Sequence, residues 1–344
     1  MVRFRLLLSL LCAALLLGAN PPSPGVHDDL IGGDTLPQSL SEYGFFLDRA
    51  ATQPAPGVVP YRLNSPLFSD YAEKFRFAYV PQGKTVATDA DGRLLFPVGS
   101  ALIKSFGYRY EDQGMRLLET RVLLHRESGW VALPYVWNED RSDAVLRRAG
   151  KRMDVNIVQP DGQAVAFSYA VPNQNQCKGC HALKGEITPI GPKLRNLDDG
   201  ERLADWQQRG WFGDTVDAHE VMPDYADISE PVDYRARAYL DVNCGHCHNR
   251  AGPASNSGLY LTWEEADPVA LGLYKRPVAA GRGSGGFEFA IEPGHPERSI
   301  LINRMESTDP GVAMPELGRA LVHGEGVDLI REWIAAMPGK AEAK

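Results

Sequence analysis

Four cysteines and two histidines of this chain recur in one arrangement, Cys177-Lys178-Gly179-Cys180-His181 and Cys244-Gly245-His246-Cys247-His248. Both are C-x-x-C-H runs, the spacing by which a c-type haem is fixed to protein. The chemistry explains the spacing. Two thiols add to the two vinyl groups of one porphyrin, so they must lie about one helical turn apart and face the same way. The next residue, a histidine, then falls under the ring, where an imidazole nitrogen reaches the iron. Of the five cysteines in the chain, all but Cys12 fall in these two runs. The expectation is two covalently bound haems c, attached through Cys177, Cys180, Cys244 and Cys247, with His181 and His248 as iron ligands.

Competing chemistries explain less. Two C-x-x-C pairs can build a structural zinc site, but the usual gap between such pairs is about 15–20 residues. Here the pairs begin at 177 and 244, 67 residues apart. A thioredoxin-like redox pair needs a single C-x-x-C in a βαβ setting, and two vicinal disulfides would suit an oxidising compartment. All three leave the repeated histidine without a purpose.

A haem iron has a second axial position, and its occupant sets the chemistry. A thioether raises the potential, a second imidazole lowers it, and an open position permits ligand chemistry. For the second haem the candidate is Met314, in a loop and followed by Pro315, which helps aim the sulfur. For the first haem the candidate is Met222, again followed by a proline, Pro223. His219, His125, Met153 or an open position are the alternatives there. Met305 and Met337 read as helix-face core residues, His246 as a solvated filler. Neither His295 nor His323 has a spacing that recommends it.

The elements that must position these residues can be read in outline. Residues 20–60 are rich in Pro, Gly and Asp and read as a tether and loop, with one short helix near Ser39 to Arg49. From 61 to 171 the pattern is β: Leu118, Thr120, Val122 and Leu124 alternate with Glu119, Arg121 and Leu123, the period of a half-buried strand. Turn clusters such as Glu111-Asp112-Gln113-Gly114 and Gln159-Pro160-Asp161-Gly162 punctuate the run, so an antiparallel sandwich or meander is expected. Arg121, Trp137, Asn138 and Asp143 could line a site, though solvated strand ends and structural contacts are the simpler reading. A helix is expected over Gly200 to Gln208 and a linker over Asp224 to Pro231. A second helix, Asp233 to Val242, leads into the second motif, with Ala236, Tyr239, Leu240 and Asn243 at i, i+3, i+4 and i+7. Gly281 to Gly286 reads as a flexible loop, and it is not a phosphate cradle, lacking the strand before and helix after that such a loop needs. Glu297 to Met305 and Gly326 to Met337 close the chain as helices.

At 344 residues the chain has room for two or three compact units. The division expected is a signal peptide at 1–19, the tether at 20–60, a β-rich domain at 61–171, a first haem-binding segment at 172–230 and a second haem domain at 231–344. Arg3 and Arg5, the apolar run Leu6 to Leu17 and Gly18-Ala19 are the signs of the signal peptide. Its apolar run is shorter than the ~20 residues of a membrane-spanning helix, so a soluble, exported, periplasmic protein without a membrane span is expected. The net charge is −8; without Arg3 and Arg5 it becomes −10. An acidic surface argues against nucleic acid as a partner and suits docking to a basic redox protein.

The stretch from Tyr234 to the end resembles class I cytochromes c. A helix runs into Cys244-Gly245-His246-Cys247-His248, followed by Gly252-Pro253, Met314-Pro315 and a closing helix with Trp333. That resemblance implies crossing first and last helices and Met314 as the distal ligand. The chain is also similar to a family of exported dihaem c-type cytochromes of unassigned activity. Tyr61-Arg62-Leu63-Asn64-Ser65-Pro66-Leu67, Phe96-Pro97-Val98-Gly99, Leu118-Glu119-Thr120-Arg121, Trp137-Asn138, Asn175 to His181, Pro189 to Lys193, Arg237 to Cys244 and Pro296 to Ser299 carry the likeness. The fold expected is therefore α+β and multidomain: an N-terminal antiparallel β-rich domain followed by mainly α-helical cytochrome c-type haem units. The function expected is a periplasmic carrier of single electrons between redox partner proteins. Its rival is a dihaem enzyme, such as a cytochrome c peroxidase-like oxidoreductase, using an open iron at the first haem. A third reading has the β domain bind a sugar or a partner protein through aromatics such as Trp130 and Trp137.

Overall fold

The computed structural model describes residues 25–197, 200–213, 216 and 219–339; the signal peptide expected at 1–19 lies outside them. The alternating pattern of the first half produces one six-stranded antiparallel sheet. Its strands are β1 (Val58–Tyr61), β2 (Glu73–Tyr79), β5 (Ala101–Tyr110), β6 (Gly114–Arg126), β7 (Gly129–Trp137) and β8 (Ala144–Leu146), side by side in that order. A small hairpin, β3 (Ala87–Thr88) and β4 (Leu94–Leu95), interrupts the meander between β2 and β5. A separate hairpin of β9 (Lys151–Val158) and β10 (Ala164–Val171) follows. The β9–β10 hairpin packs on part of the sheet, joining Phe106, Tyr108, Leu118 and Val136 to Val155, Ile157, Tyr169 and Val171 in one buried cluster. Helices and loops cover the rest of the two faces.

One face carries Phe77, Ile103, Val122 and Leu133, which stand opposite one another across β2, β5, β6 and β7. The segment expected as a tether covers this face. Helix α1 (Asp28–Gly32) and the 3-10 turn Leu40–Tyr43 bury Ile31, Leu40, Tyr43 and Phe45 against it. Residues 25–57 thus contribute to the core, with Val26, Leu30, Leu36 and Phe46 packed against the same cluster. The helix expected over 39–49 shrinks to four residues at Gly44, whose φ of 68° ends it.

The opposite face is apolar at one end, where Val59, Ala78, Leu102, Leu123 and Ala132 meet Cys177, Leu194, Leu197, Leu203, Trp206 and Trp211. These partners come from α2 (Gln174–His181), α3 (Leu194–Leu197), α4 (Glu201–Gln208) and the turn after α4. Between α2 and α3 lies a short hairpin, β11 (Ala182–Leu183) and β12 (Glu186–Ile187).

The last third is helical and carries its own core. Helix α5 (Val232–Leu240) continues through a π turn at Asp241–Gly245, so that the expected face of Ala236, Tyr239, Leu240 and Asn243 is buried throughout. It packs on α8 (Gly324–Ala336) at a close crossing: a Cβ on Gly326 would stand 2.4 Å from the Tyr239 ring. The Trp333 indole also donates to Asp233 at 2.7 Å. Helix α6 (Pro268–Leu271) and α7 (Ile300–Glu306) complete the unit, with Ile291, Leu301, Ile302, Met305, Val327, Ile330 and Ile334 in its interior. Among the described residues no helix is long and apolar enough to cross a membrane.

Candidate cofactor site

Between the polar part of the second sheet face and the helical unit lies a cavity of about 660 Å³, within the range of ~300–1,000 Å³ usual for small-molecule and cofactor sites. Its wall is drawn from the whole chain. The segment after β1 supplies Leu63, Ser65, Leu67 and Phe68, the first motif Cys177, Cys180 and His181, the second Cys244 and His246, and the loop before α8 Met314 and Arg319. Polar clamps hold the 64–70 segment against these elements. Asn196 exchanges two hydrogen bonds with the Ser65 backbone, at 2.8 and 3.0 Å. Asn243 accepts from Phe68 N at 2.8 Å while donating to Tyr239 O, and the Asp70 carboxylate accepts from the amides of Ala320 and Leu321.

The first motif begins at a capping box. Asn173 accepts from Gln176 N at 2.8 Å, and the Gln176 side chain accepts from Asn173 N at 2.9 Å, so α2 starts where it must to turn Cys177 inward. Cys177 is buried on Leu102, Leu123 and Trp206, and burial raises its thiol pKa. His181 ends the helix. Thr188 N donates to its carbonyl at 2.7 Å, and Thr188 O faces its Nδ1 at 3.1 Å. Because a carbonyl can only accept, Nδ1 carries the hydrogen and Nε2 keeps its lone pair. Burial holds this imidazole neutral, with its pKa lowered to about 4.

The second motif repeats the device with a different span. His248 donates from Nδ1 to Leu259 O at 3.2 Å, and its own carbonyl accepts from Leu261 N at 2.8 Å. Burial lowers its pKa as well. Arg237, about two turns before the motif, fixes the following loop by donating to the carbonyls of Thr262, Trp263 and Glu265. Asp241 anchors the start of the π turn. Burial alone would raise its carboxyl, but Lys193 at 3.2 Å and Arg195 at 3.3 Å hold it below its ordinary value.

The two motifs, 67 residues apart in sequence from 177 to 244, meet. Cys180 is hydrogen-bonded to Cys247, which lowers its pKa, and also to His246. The acidic member of this thiol pair is Cys180, since two donors converge on it. All four thiols are free, and among the described residues no group of three or more His, Cys, Asp or Glu side chains is gathered as a metal cage. Cys247 and His248 adjoin the cavity's wall at Cys244, Gly245, His246 and Asn249 without themselves lining it.

The expected sixth ligands separate. Met314 lines the cavity, its amide donating to Arg304 O at 3.0 Å and its carbonyl accepting from Arg319 at 2.9 Å. Met222 does not line it. That residue is fully buried in a small apolar cluster with Ala238 and Val242, against Tyr225 and Trp263. Its backbone serves instead, the amide bonding Arg195 O and the carbonyl accepting from Asn64. Nor do the alternatives enter the cavity's wall: His125 stacks on Trp130, Met153 lies on β9 against the core beneath the β9–β10 hairpin, and His219 does not line the cavity. Met305, expected as core, is both core and cavity wall.

Two histidines that spacing did not recommend do line it. His246 touches Cys180, and His323 stacks on Phe68 with ring centres 4.1 Å apart while its Nδ1 lies 3.2 Å from Tyr239 Oη. Arg121 also reaches the cavity and forms a two-pronged pair with Glu119 below it. Trp137, Asn138 and Asp143 are structural, as the simpler reading had it: the Trp137 indole bonds Thr120, and Asp143 accepts from Ser41. Only adjacent-position signals could have revealed His246, which sits inside a motif. His323 is brought in by the α5–α8 crossing, which no local pattern encodes.

The residues present fit a covalently held porphyrin. Each motif offers two thiols and an imidazole whose outer nitrogen is fixed by a carbonyl, the second-sphere contact that sets tautomer and ring orientation in metal-binding histidines. The wall adds a thioether and a buried guanidinium, Arg76, whose Nη2 has no hydrogen-bond partner. No family model, curated protein or solved structure matches the chain.

Proposed function

We propose that this chain is an exported dihaem c-type cytochrome that carries single electrons between redox partner proteins. The observation that carries the reading is the paired treatment of His181 and His248. Both close a C-x-x-C-H run, and both have Nδ1 committed to a backbone carbonyl, at 3.1 and 3.2 Å. Nε2 is thereby kept as the donor. Haem iron bound there would supply a one-electron ferric/ferrous couple.

The chain's own groups have defined tasks. Each cysteine S–H adds across a vinyl double bond: sulfur bonds one carbon, the hydrogen goes to the other, and no oxidant is consumed. Hydrogen bonds from Cys247 and His246 make Cys180 the more acidic thiol of its own run, since burial raises Cys177. Met314 offers a thioether from a loop pinned at both its amide and its carbonyl, and we assign it to the second haem. Half-buried Leu63, Leu67 and Phe68 and buried Met305 give the cavity an apolar side that would limit the access of water. Export is supported by the basic, apolar and small-residue succession at 1–19, and docking to a basic partner by the net charge of −8.

Intact-mass measurement of the purified protein tests the reading: two haem additions are expected, one lost on Cys177→Ala plus Cys180→Ala and the other on Cys244→Ala plus Cys247→Ala. Protein matured in a haem-attaching host that carries none ends it. Met314→Ala should abolish a far-red methionine–iron charge-transfer band.

One observation favours the rival enzyme. The methionine expected to cap the first iron, Met222, is committed elsewhere and does not line the cavity that His181 lines. A high-spin signal from the haem at His181, with turnover of hydrogen peroxide, would establish a peroxidase-like oxidoreductase. Six-coordinate spectra at both haems and indifference to peroxide would leave the carrier.

A further inference from the structure

The sheet face that floors the cavity carries a row of cations. Register places Arg76 of β2 opposite Lys104 of β5, and Lys104 opposite Arg121 of β6, so three basic side chains stand on adjacent strands at one level. Like charges directly opposite in a sheet are destabilising, and buried charges are costly unless paired. Of the three, only Arg121 has an ion-pair partner among the described residues: Glu119, fully buried, binds it at 2.6 and 2.8 Å and accepts from Tyr169. Arg76 is 7 % exposed and its Nη2 is buried without a partner. The Lys104 ammonium lies 4.8 Å over the Phe106 ring. Its basicity is reduced first by burial and then by Arg76, Arg121 and Lys74. All three members of the row line the cavity that Cys177, Cys180 and His181 also line.

We infer that Arg76 and Lys104 form a seat for carboxylates, and that the carboxylates are the propionates of the porphyrin held at Cys177 and Cys180. The inference rests on the haem reading. The row is the part of the wall with cationic charge in excess of its acids, and a porphyrin tethered by its vinyl edge carries its two carboxylates on the far edge of the same ring. Guanidinium and ammonium groups suit carboxylate acceptors, through forked and point-charge contacts respectively. Bound carboxylates would turn a repulsive row into an alternating one.

The test compares Arg76→Gln and Lys104→Gln with the charge-keeping Arg76→Lys and Lys104→Arg in the full haem-loaded protein. Three readings are taken: haem count by intact mass, the two reduction potentials by spectroelectrochemistry, and urea midpoints of loaded and haem-free chains. A wild type without haem removes the functional reading itself and the seat with it. With two haems retained, each Gln variant is expected to lower one potential only. The expected size is about a tenfold change in the ferric/ferrous ratio at fixed voltage, which is about 59 mV for one electron. The charge-keeping variants should restore most of it. The urea midpoints should move in opposite directions, up for the haem-free Gln variants and down for the loaded ones. Unchanged potentials with both haems in place overturn the inference. So does a wild-type potential that responds to added phosphate while the Gln variants ignore it, because the seat would then take a free oxyanion. Should Arg76→Gln fail to accumulate, the Lys104→Gln and Lys104→Arg pair makes the same comparison.

Discussion

The two C-x-x-C-H runs are alike in sequence and unlike in support. The second ends an amphipathic helix that packs on α7 and α8, inside a core composed of residues from 225 onward. The first ends an eight-residue helix in which Cys177 alone is buried, and its apolar support is the sheet and the aromatic cluster of α4. One unit brings its own interior; the other borrows that of the sheet. The electrostatic settings differ for the same reason. The borrowed sheet face brings Arg76, Lys104 and Arg121 into the cavity wall beside the first run, whereas the second run is backed by helix-borne apolar side chains. Duplicated attachment chemistry can therefore be given two different environments by the element chosen as scaffold.

Substitutions can break or sharpen this contrast. The largest effect is expected from Trp206→Ala. Trp206 is 1 % exposed and meets Tyr61, Phe96 and Trp211 edge to face, and truncating such a residue costs about 3–5 kcal/mol. Because the first site has no separate core, loss of the first motif's spectral signature should coincide with melting of the sheet, followed by circular dichroism. Separate transitions would show that the first site is self-supporting.

Ile334→Ala should cost about 2–5 kcal/mol but confine its damage to the helical unit, since Ile334 belongs to that core alone. Hydrogen exchange should then rise in α5, α7 and α8 and stay unchanged in β5 and β6. Next comes Gly326→Ala, which forces a methyl into the Tyr239 ring at the α5–α8 crossing. Overpacking of this kind costs about 1–3 kcal/mol, read as a lower urea midpoint, with Tyr239→Leu as the compensating change.

The last effect concerns pH. Burial lowers the His323 pKa from 6.5 to about 4, so the unfolded chain binds its proton first on acidification. Stability from the neutral ring is therefore complete above about pH 6.5 and is lost as pH falls toward 4, by at most about 1.4 kcal/mol per pH unit. His323→Gln should flatten urea midpoints across that window and leave them unaltered in slope above pH 7. An unchanged slope below pH 6.5 would assign the acid sensitivity to other groups.

Much of this was legible in the sequence. Period-two alternation located β6, and period-3.6 spacing of Ala236, Tyr239, Leu240 and Asn243 located α5 and its buried face, because each pattern reports on its own element. The two C-x-x-C-H runs were plain for the same reason. What escaped depends on pairings between distant segments. The cation row joins residues 76, 104 and 121, and only strand register reveals that they share a level. Met222 and Met314 look equivalent locally, each followed by proline. They part because the segment around 222 is pulled under Asn64 and Arg195. The stretch at 25–57 reads as a tether by composition, yet Ile31, Leu40, Tyr43 and Phe45 suffice to seat it.

The ladder that fixes the cation row has a kinetic side. Arg76, Lys104 and Arg121 spring from three paired strands, and Arg121 is further held by Glu119. Charges carried on such a frame cannot swing when an electron arrives or leaves. In an electron carrier, dipoles and charges already oriented for the product state spare the reaction most of its reorganisation. With haem held at both runs, as proposed, a charged sheet beneath one and apolar helical packing around the other would therefore give the two couples unequal speeds.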